Sequence, residues 1–461
     1  MRGTCAVLLA AGDGKRMKSE KPKVLCEVLF RPMARWAADA LKAAGVADLC
    51  AVCGAGAELV QATLPECEAV MQAQRLGTGH AVMQARAFLE RHRGCDCAVL
   101  CGDAPFLDAD TLSGALALHR SSHAAVTLIT ACLEDPTGYG RILRDGAGQV
   151  TGIVEQADTD AETAAIREVN SGAYWFRTDF LLEALSHLAP ANAQGEYYLT
   201  DTVAWAVSQG FPAAGFPAAS PDVVLGANDR AGLLRLNELA RRRVLEKHLQ
   251  NGVEIVVSDG VVVADDAVIG ADTVLLPGTI IKPGCTVGRG CVIGPNTVLE
   301  QSSLGDGCVI NASQIEFSSL GCRVKLGPFS HVRPGSCLKD GAKVGNFVEI
   351  KNSTVGEKTA VAHLTYVGDS DVGSRVNFGC GTVTVNYDGF HKYRTVIGDD
   401  VFIGCNANLI APVKIGDGCL IAAGSTITDD VPADALAIAR ARQLNRPDWA
   451  RQRRLRLSQK D

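Results

Sequence analysis

The chain has 461 residues, enough for two or three domains. Apolar residues make up 47 % and charged residues 21 %, the balance of an ordinary globular protein. A net charge of −6 offers no basic field to nucleic acid or a membrane surface, and no apolar run approaches the roughly 18 residues of a membrane span, so the reading excludes both partners.

Seventeen cysteines are many, but they are scattered and odd in number, unlike a secreted disulfide framework. The opening Met1 to Ala10 lacks the charged-then-apolar pattern of a signal sequence. Reduced thiols in the cytoplasm are the expectation. Cys50 and Cys53 form a lone C-x-x-C inside an apolar run, without a second pair at metal spacing, so neither zinc nor a redox role is expected of them.

From the start, Cys5 to Leu9 reads as a strand, Met33 to Ala44 as a helix and His80 to Arg91 as another. Ala98 to Cys101 and Val126 to Ile129 read as further strands. This alternation predicts an α/β domain with a largely parallel sheet over residues 1–228. The first strand runs into Leu9-Ala10-Ala11-Gly12-Asp13-Gly14-Lys15-Arg16-Met17, where small residues let backbone N–H groups approach phosphate oxygens. Lys15, Arg16 and Lys23 add positive charge. A second glycine-rich loop spans Gln72 to His80, with Gln72, Gly77 and Thr78 as its polar and turn-forming members. Cys101-Gly102-Asp103 closes a strand with a carboxylate. Ligands of open α/β sheets sit beyond the carboxyl ends of strands, so Asp103 is placed to hold a hard cation such as Mg²⁺ against phosphate oxygens.

Residues 229–250 repeat leucine and valine at helical spacing around Arg241-Arg242-Arg243, which predicts a helical linker with a solvated basic face. From about 251 a six-residue rhythm takes over. Val263, Ile269, Leu275, Ile281, Val287, Ile293 and Leu299 lead successive units, and the rhythm resumes from Leu320 to Ile350, at Val355, Val361 and Val367, and from Ile397 to Ile427. Glycine often follows the lead residue, as in Ile269-Gly270 and Val344-Gly345. A fixed period of six marks a parallel β-helix, whose coils bury their apolar faces only by stacking. A β-sandwich would space its strands more widely and less regularly. The rhythm breaks over Val383 to Thr395, which predicts an extruded loop. After the last repeat, Arg440 to Asp461 carries eight basic and two acidic residues, expected to be partly disordered or draped on a neighbour.

Several residues in the repeats exceed what a scaffold needs. Arg333 and Lys351 together suit a phosphate monoester, and His363 suits proton removal near neutral pH. With three units to a coil, residues 333, 351 and 366 lie about one coil apart, which predicts one polar patch containing Arg333, Lys351 and Tyr366, with His363 beside it.

The N-terminal motifs, in order L-A-A-G-x-G with Arg16, P-K-V-L, Q-x-x-x-x-G-T-G-H, G-D, P-T-G-Y-G-R, V-E and N-x-G, resemble those of the sugar-phosphate nucleotidyltransferase superfamily. The C-terminal strings G-P-F, R-P-G, V-G-N-F-V-E, H-L-T-Y-V-G-D, N-Y-D-G and T-V-I-G-D-D-V-F-I-G extend the likeness. Over nearly its whole length the chain resembles the bifunctional N-acetylglucosamine-1-phosphate uridylyltransferase/glucosamine-1-phosphate N-acetyltransferase family.

The resemblance implies a Rossmann-like nucleotidyltransferase domain and, over 251–461, a left-handed parallel β-helix that forms a homotrimer. It implies UTP, N-acetylglucosamine-1-phosphate, glucosamine-1-phosphate and acetyl-CoA as substrates, with Mg²⁺. By position, Leu9, Ala10, Ala11, Gly12, Lys23, Gln72, Gly77 and Thr78 would contact the nucleotide, and Gly140, Glu155 and Asn170 the sugar. Asn228 would join Asp103 at the metal. Lys23 and Arg16 would act in uridylyl transfer, and His363 would be the general base of acetyl transfer. Arg333, Lys351, Tyr366 and Asn377 would hold the sugar phosphate, and Cys380, Asn386, Tyr387, Cys405, Ala423 and Arg440 the acetyl-CoA side. Relatives often have alanine and serine where this chain has Cys380 and Cys405, and S–H is the weaker donor. Two other readings are a nucleotidyltransferase whose β-helix only regulates or oligomerises, and a non-catalytic assembly subunit. His363 and the 383–395 loop count against the first, Lys23 and Asp103 against the second.

Overall fold

The structure, a computed structural model, describes residues 2–12 and 14–458. Asp13 of the glycine-rich turn lies outside the described residues, as does the side chain of Lys15. The chain divides into two compact units, Met1–Ala240 and Arg241–Asp461.

In the first unit, β1 (Thr4–Ala10), β2 (Asp48–Cys53), β3 (Glu68–Met71), β4 (Asp96–Cys101), β5 (Val126–Cys132), β6 (Glu168–Arg177) and β7 (Ala213–Pro217) lie in the spatial order β7-β5-β6-β4-β1-β2-β3. All neighbours are parallel except β6, which runs antiparallel to both β4 and β5. A strand buried on both faces sends alternate side chains to opposite cores. Accordingly Cys5 and Val7 of β1 pack into one core, with residues of α2 (Thr78–Gln84), α3 (Arg86–Arg91), α5 (Thr178–Leu185) and α6 (Asp201–Ser208). Ala6, Leu8 and Ala10 pack into the other, with residues of α1 (Met33–Ala43) and α4 (Ala109–Ser121).

The same alternation settles the C-x-x-C pair. Cys50 and Cys53 lie three apart on β2 and face opposite cores, so they share neither a metal nor a disulfide. Burial pushes the Cys50 thiol up to about 12. All seventeen cysteines are unpaired. The continuous helix expected over His80 to Arg91 is instead α2 and α3, meeting at Ala85, whose backbone leaves helical ψ (φ −84°, ψ 12°).

The linker helix is α7 (Arg230–Gln250), and the division between units falls inside it. Within the expected solvated face, Arg241 donates to the Ser258 carbonyl at 2.9 Å and braces the first coil. Among the described residues no helix is long and apolar enough to cross a membrane.

The second unit is a parallel β-helix of three stacked sheets. Every lead residue of the six-residue rhythm points inward and is buried. The interruptions in the rhythm are of two kinds. Between Leu299 and Leu320 the coil continues through buried Leu304, Ile310 and Ile315, and several of these steps are five residues long. Above Val367 the inward positions pass to Val372, Phe378 and Thr384. Buried Thr384 is tolerated because its hydroxyl accepts from Gly368 N at 2.8 Å. The real insertion is shorter than expected, because Val383–Val385 and Thr395–Ile397 are themselves strands of the stack. The basic tail forms α8 (Trp449–Leu457), exposed on every side.

Glycines after the lead residues mark corners where the next coil passes close. A Cβ on Gly270 would lie 2.7 Å from Gly288 C and 2.8 Å from Arg289 N, which are backbone atoms that cannot yield. Gly270→Ala should therefore destabilise the β-helix by about 1–3 kcal/mol, the usual cost of overpacking, read as a lower denaturation midpoint.

Candidate active sites

The nucleotide-side cleft opens beyond the carboxyl ends of β1 and β4. It encloses about 290 Å³ and is lined by Leu9, Ala11, Gly12, Lys23, Gln72, Gly77, Thr78 and Asp103, with Arg75 and Glu196 among the others. Lys23 leads a short turn after Pro22. Its ammonium pairs with the Asp103 carboxylate and donates to Asn228 Oδ1 at 3.0 Å. Three residues separated by up to 205 positions thus meet at one charge. Asp103 and Asn228 supply two converging oxygens, a donor set that fits a hard cation completing its shell with water and substrate phosphate oxygens.

Gln72 is buried, and its amide donates to Gly77 O at 3.2 Å and lies 3.1 Å from His80 Nδ1. Gly77 has φ +108°, and a Cβ there would lie 2.6 Å from Tyr197 O, so only glycine fits the bend. Thr78 opens α2 and accepts from Leu199 N at 3.0 Å. Arg75, which the sequence reading passed over, donates to Ala11 O at 2.9 Å and ties the second loop to the first. Its only signal was its place inside the Gln72–His80 string.

Gly140, Glu155 and Asn170 form a second group. Asn170 N donates to Gly140 O at 2.9 Å, and a Cβ on Gly140 would lie 3.3 Å from Glu155 Oε2. Burial pushes the Glu155 carboxyl above the usual range, partly offset by the Thr200 hydroxyl bonded to it at 3.1 Å. The Ala10 side chain turns into the core and Arg16 is exposed, so neither side chain is among those lining the cleft.

On the β-helix, register fixes which residues form columns. Asn346 lies under His363, and the pairings Val361–Phe378, Phe378–Ile403 and Ile403–Ile421 carry the column on through Cys380, Cys405 and Ala423. Backbone bonds of 2.8 Å, Asn406 N to Cys380 O and Gly424 N to Cys405 O, hold it. Arg440 follows, its Cδ 3.8 Å from where a Gly424 Cβ would stand. His363 therefore shares an edge with four of the six expected acetyl-CoA residues, Cys380, Cys405, Ala423 and Arg440. Asn377 is exposed on the same sheet as His363, paired with Ala360.

Arg333 and Lys351 stack on the following edge, through the Val332–Ile350 pairing. Tyr366 pairs with Glu349, but its hydroxyl lies where a Cβ on Gly368 would stand, and Gly368 pairs with Lys351, so Arg333, Lys351 and Tyr366 come together on this edge. His363 does not join them, because it ends the strand Ala360–His363 of the preceding sheet. The reason is the coil itself: consecutive six-residue units occupy consecutive faces. Arg333 Nη1 donates to Glu349 Oε1 at 2.7 Å. The extruded loop returns over this edge and brings Lys392 against Lys351, and the neighbouring ammonium, with burial second, lowers the Lys351 pKa. Asn386 donates to the buried Asp369 carboxylate, which Asn352 also bonds. Burial alone would raise the Asp369 pKa, but these two amides and the nearby lysines hold it below the usual range. Tyr387 is exposed and closes the loop by donating to Gly389 O at 2.5 Å.

A cleft of about 290 Å³ at strand ends in one unit and a coil stack with its own polar edges in the other define a two-centre transferase, one half nucleotidyltransferase and the other a hexapeptide-type transferase. The comparisons agree. Residues 5–220 match the nucleotidyl transferase family, and residues 266–301 and 394–429 match the six-repeat bacterial transferase hexapeptide family, whose fold is the left-handed β-helix. The chain is 46 % identical over 450 residues to the bifunctional protein GlmU of Halalkalibacterium halodurans, covering 97 % of this chain and 99 % of that one. It is 46 % identical over 454 residues to that of Caldanaerobacter subterraneus (98 % and 99 %), and 43 % over 464 residues to that of Pelobacter propionicus (100 % of each). The chain belongs to the bifunctional GlmU family. It is an enzyme with uridylyltransferase and acetyltransferase activities, and the reading with a merely regulatory β-helix is not favoured.

Because the Lys392 ammonium lowers the Lys351 pKa, removing it by Lys392→Met should move that pKa upward. Titration of the Lys351 side-chain resonances by NMR checks the direction.

Proposed function

We propose that the first unit joins UTP to N-acetylglucosamine-1-phosphate and that the second makes that sugar phosphate from glucosamine-1-phosphate and acetyl-CoA, within a homotrimer in the cytoplasm. The observation that supports this most directly is the Lys23 ammonium shared by Asp103 and Asn228 at the strand ends. Seventeen unpaired thiols suit a reducing compartment.

In uridylyl transfer, an oxygen of the sugar phosphate attacks the α-phosphorus of UTP, and the bond to pyrophosphate breaks. Both reactants are anions, so the residues must screen repulsion and hold the atoms in line. The backbone of Leu9 to Gly12 approaches the phosphates. Gln72, Gly77 and Thr78 position the nucleotide, and Gly140, Glu155 and Asn170 the sugar. Lys23 neutralises charge at the reacting phosphates, and Arg16 reaches them from the exposed turn once substrate is bound. Asp103 and Asn228 would hold Mg²⁺, which when bound polarises phosphoryl oxygens.

In acetyl transfer, His363 removes a proton from the ammonium of glucosamine-1-phosphate. The freed nitrogen attacks the thioester carbonyl, the C–S bond breaks and coenzyme A leaves as the thiol. Arg333 and Lys351, with Lys392 beside them, bind the phosphate. Tyr366, Asn377, Asn386 and Tyr387 line the sugar and acetyl groups, and the coenzyme lies along Cys380, Cys405, Ala423 and Arg440. Since His363 and the phosphate-binding cations stand on different edges of one coil stack, a neighbouring copy in the trimer completes the site.

Asp103→Asn should lower uridylyl transfer about 100-fold or more, because metal clamping is worth several kcal/mol, and leave acetyl transfer intact. His363→Ala should lower acetyl transfer by about 10²–10⁴-fold with normal uridylyl transfer. Both half-reactions assayed on both variants decide the assignments. Equal loss of the two activities in either variant would mean misfolding and would refute the role given to that residue.

A further inference from the structure

At the opposite end of the first unit's sheet, away from the cleft, lies a cavity of about 250 Å³ that neither reaction uses. It is formed where β4 and β5 begin, β6 ends and the chain enters β1. Its charged and titratable lining is Arg2, Asp96, His119, Arg120, His123 and Arg177. Three guanidiniums face one carboxylate, which leaves two positive charges uncompensated.

The one carboxylate is already engaged. Asp96 is buried and accepts from Arg120 Nε at 2.7 Å, while Arg2 stands 3.9 Å away. Arg177 lies directly opposite Asp96 in the strand register, yet its buried Nε has no partner among the described residues. Its guanidinium rests on the Phe211 ring, 5.6 Å from the centroid. The His119 side chain is 1 % exposed, with Nδ1 2.9 Å from Thr127 Oγ1. Its Nε2 is also unpartnered and stands 3.7 Å from Asp96 Oδ1, beyond hydrogen-bond range. When Nδ1 accepts from the Thr127 hydroxyl, the imidazole proton sits on Nε2. Burial and the surrounding arginines favour the neutral ring, with a pKa lowered to about 4. Buried donors are ordinarily satisfied, and two left open in one cationic cavity need an acceptor that brings negative charge.

We propose that this cavity is a second anion site that takes a small phosphoryl dianion, inorganic phosphate or a phosphate monoester, on Arg177, Arg2 and His119 Nε2. Guanidinium forks match phosphoryl oxygens two at a time, and a dianion cancels the two excess charges. The site is separate from the substrate cleft, although β1 and β4 run directly from one to the other.

The test titrates inorganic phosphate and methyl phosphate by calorimetry into the full chain carrying Lys23→Ala and Arg333→Ala, which silence the two reaction sites. One remaining site per chain is expected, weakened ten-fold or more by Arg177→Gln. Arg2→Gln, at a side chain that is 56 % exposed and so of little consequence for folding, should weaken it in the same sense. A crystal of the full chain soaked in phosphate should show the anion between His119 and Arg177. The proposal is overturned by the absence of a remaining site, by binding indifferent to both substitutions, by water alone in the cavity, or by citrate binding where neither phosphate does.

Discussion

Every functional side chain of the second unit depends on coils lying in register, one backbone directly on the next. A register slip of one residue would turn inward side chains outward along a whole face. Two features prevent it. Apolar lead residues fill the interior on all three sheets, and corner glycines let successive backbones approach where a Cβ would collide, as at Gly270 over Gly288. The consequence is columnar chemistry. His363, Cys380, Cys405 and Ala423 are separated by 17, 25 and 18 positions in sequence, yet each stands over the last because the stack leaves no other place for it. The unequal spacing is absorbed by the loop around Tyr387, which projects from the corner without disturbing the strands on either side.

The first unit solves positioning differently. Parallel strands end together, so loops following β1 and β4 converge without a repeat to align them. Precision comes instead from bonds between loops: Arg75 to the Ala11 carbonyl, Gln72 to the Gly77 carbonyl, and Lys23 to both Asp103 and Asn228. The Arg75 and Lys23 bonds run from one loop to another and the Gln72 bond braces its own loop, and each removes freedom that substrate binding would otherwise have to remove.

How far the sequence was legible follows from this contrast. Local periodicity revealed the coil stack and the α/β alternation, because burial imposes them residue by residue. Glycine-rich turns and the strand-end carboxylate of Asp103 were readable for the same reason. That the Ala10 side chain turns into the core was not legible, because a motif string does not say which members present a side chain to the cleft, whereas strand parity does. The five-residue steps at Leu304 and Ile315 were invisible because a shortened corner changes the count without changing the chemistry. His363 was set beside Arg333, Lys351 and Tyr366 because adding multiples of six says nothing about which edge a corner residue occupies. Lys392 was missed because a loop has no period to read.

The two regions proposed to bind phosphate also differ in how they manage charge. Lys23 and Asp103 are 14 % and 21 % exposed, and at that burial a lone ammonium or carboxylate would be costly, so each neutralises the other. Such a pair suits a substrate that arrives with its own cation, since a divalent ion can replace the ammonium at the carboxylate while the ammonium turns to the phosphates. Lys351 and Lys392 lie on an open edge, where water screens their repulsion and one carboxylate, Asp369, faces the two of them. That leaves net positive charge ready for a phosphate monoester without a metal. Exposure therefore separates the two chemistries: the sheltered cleft holds balanced charge and exchanges partners, and the open edge holds unbalanced charge and waits for an anion.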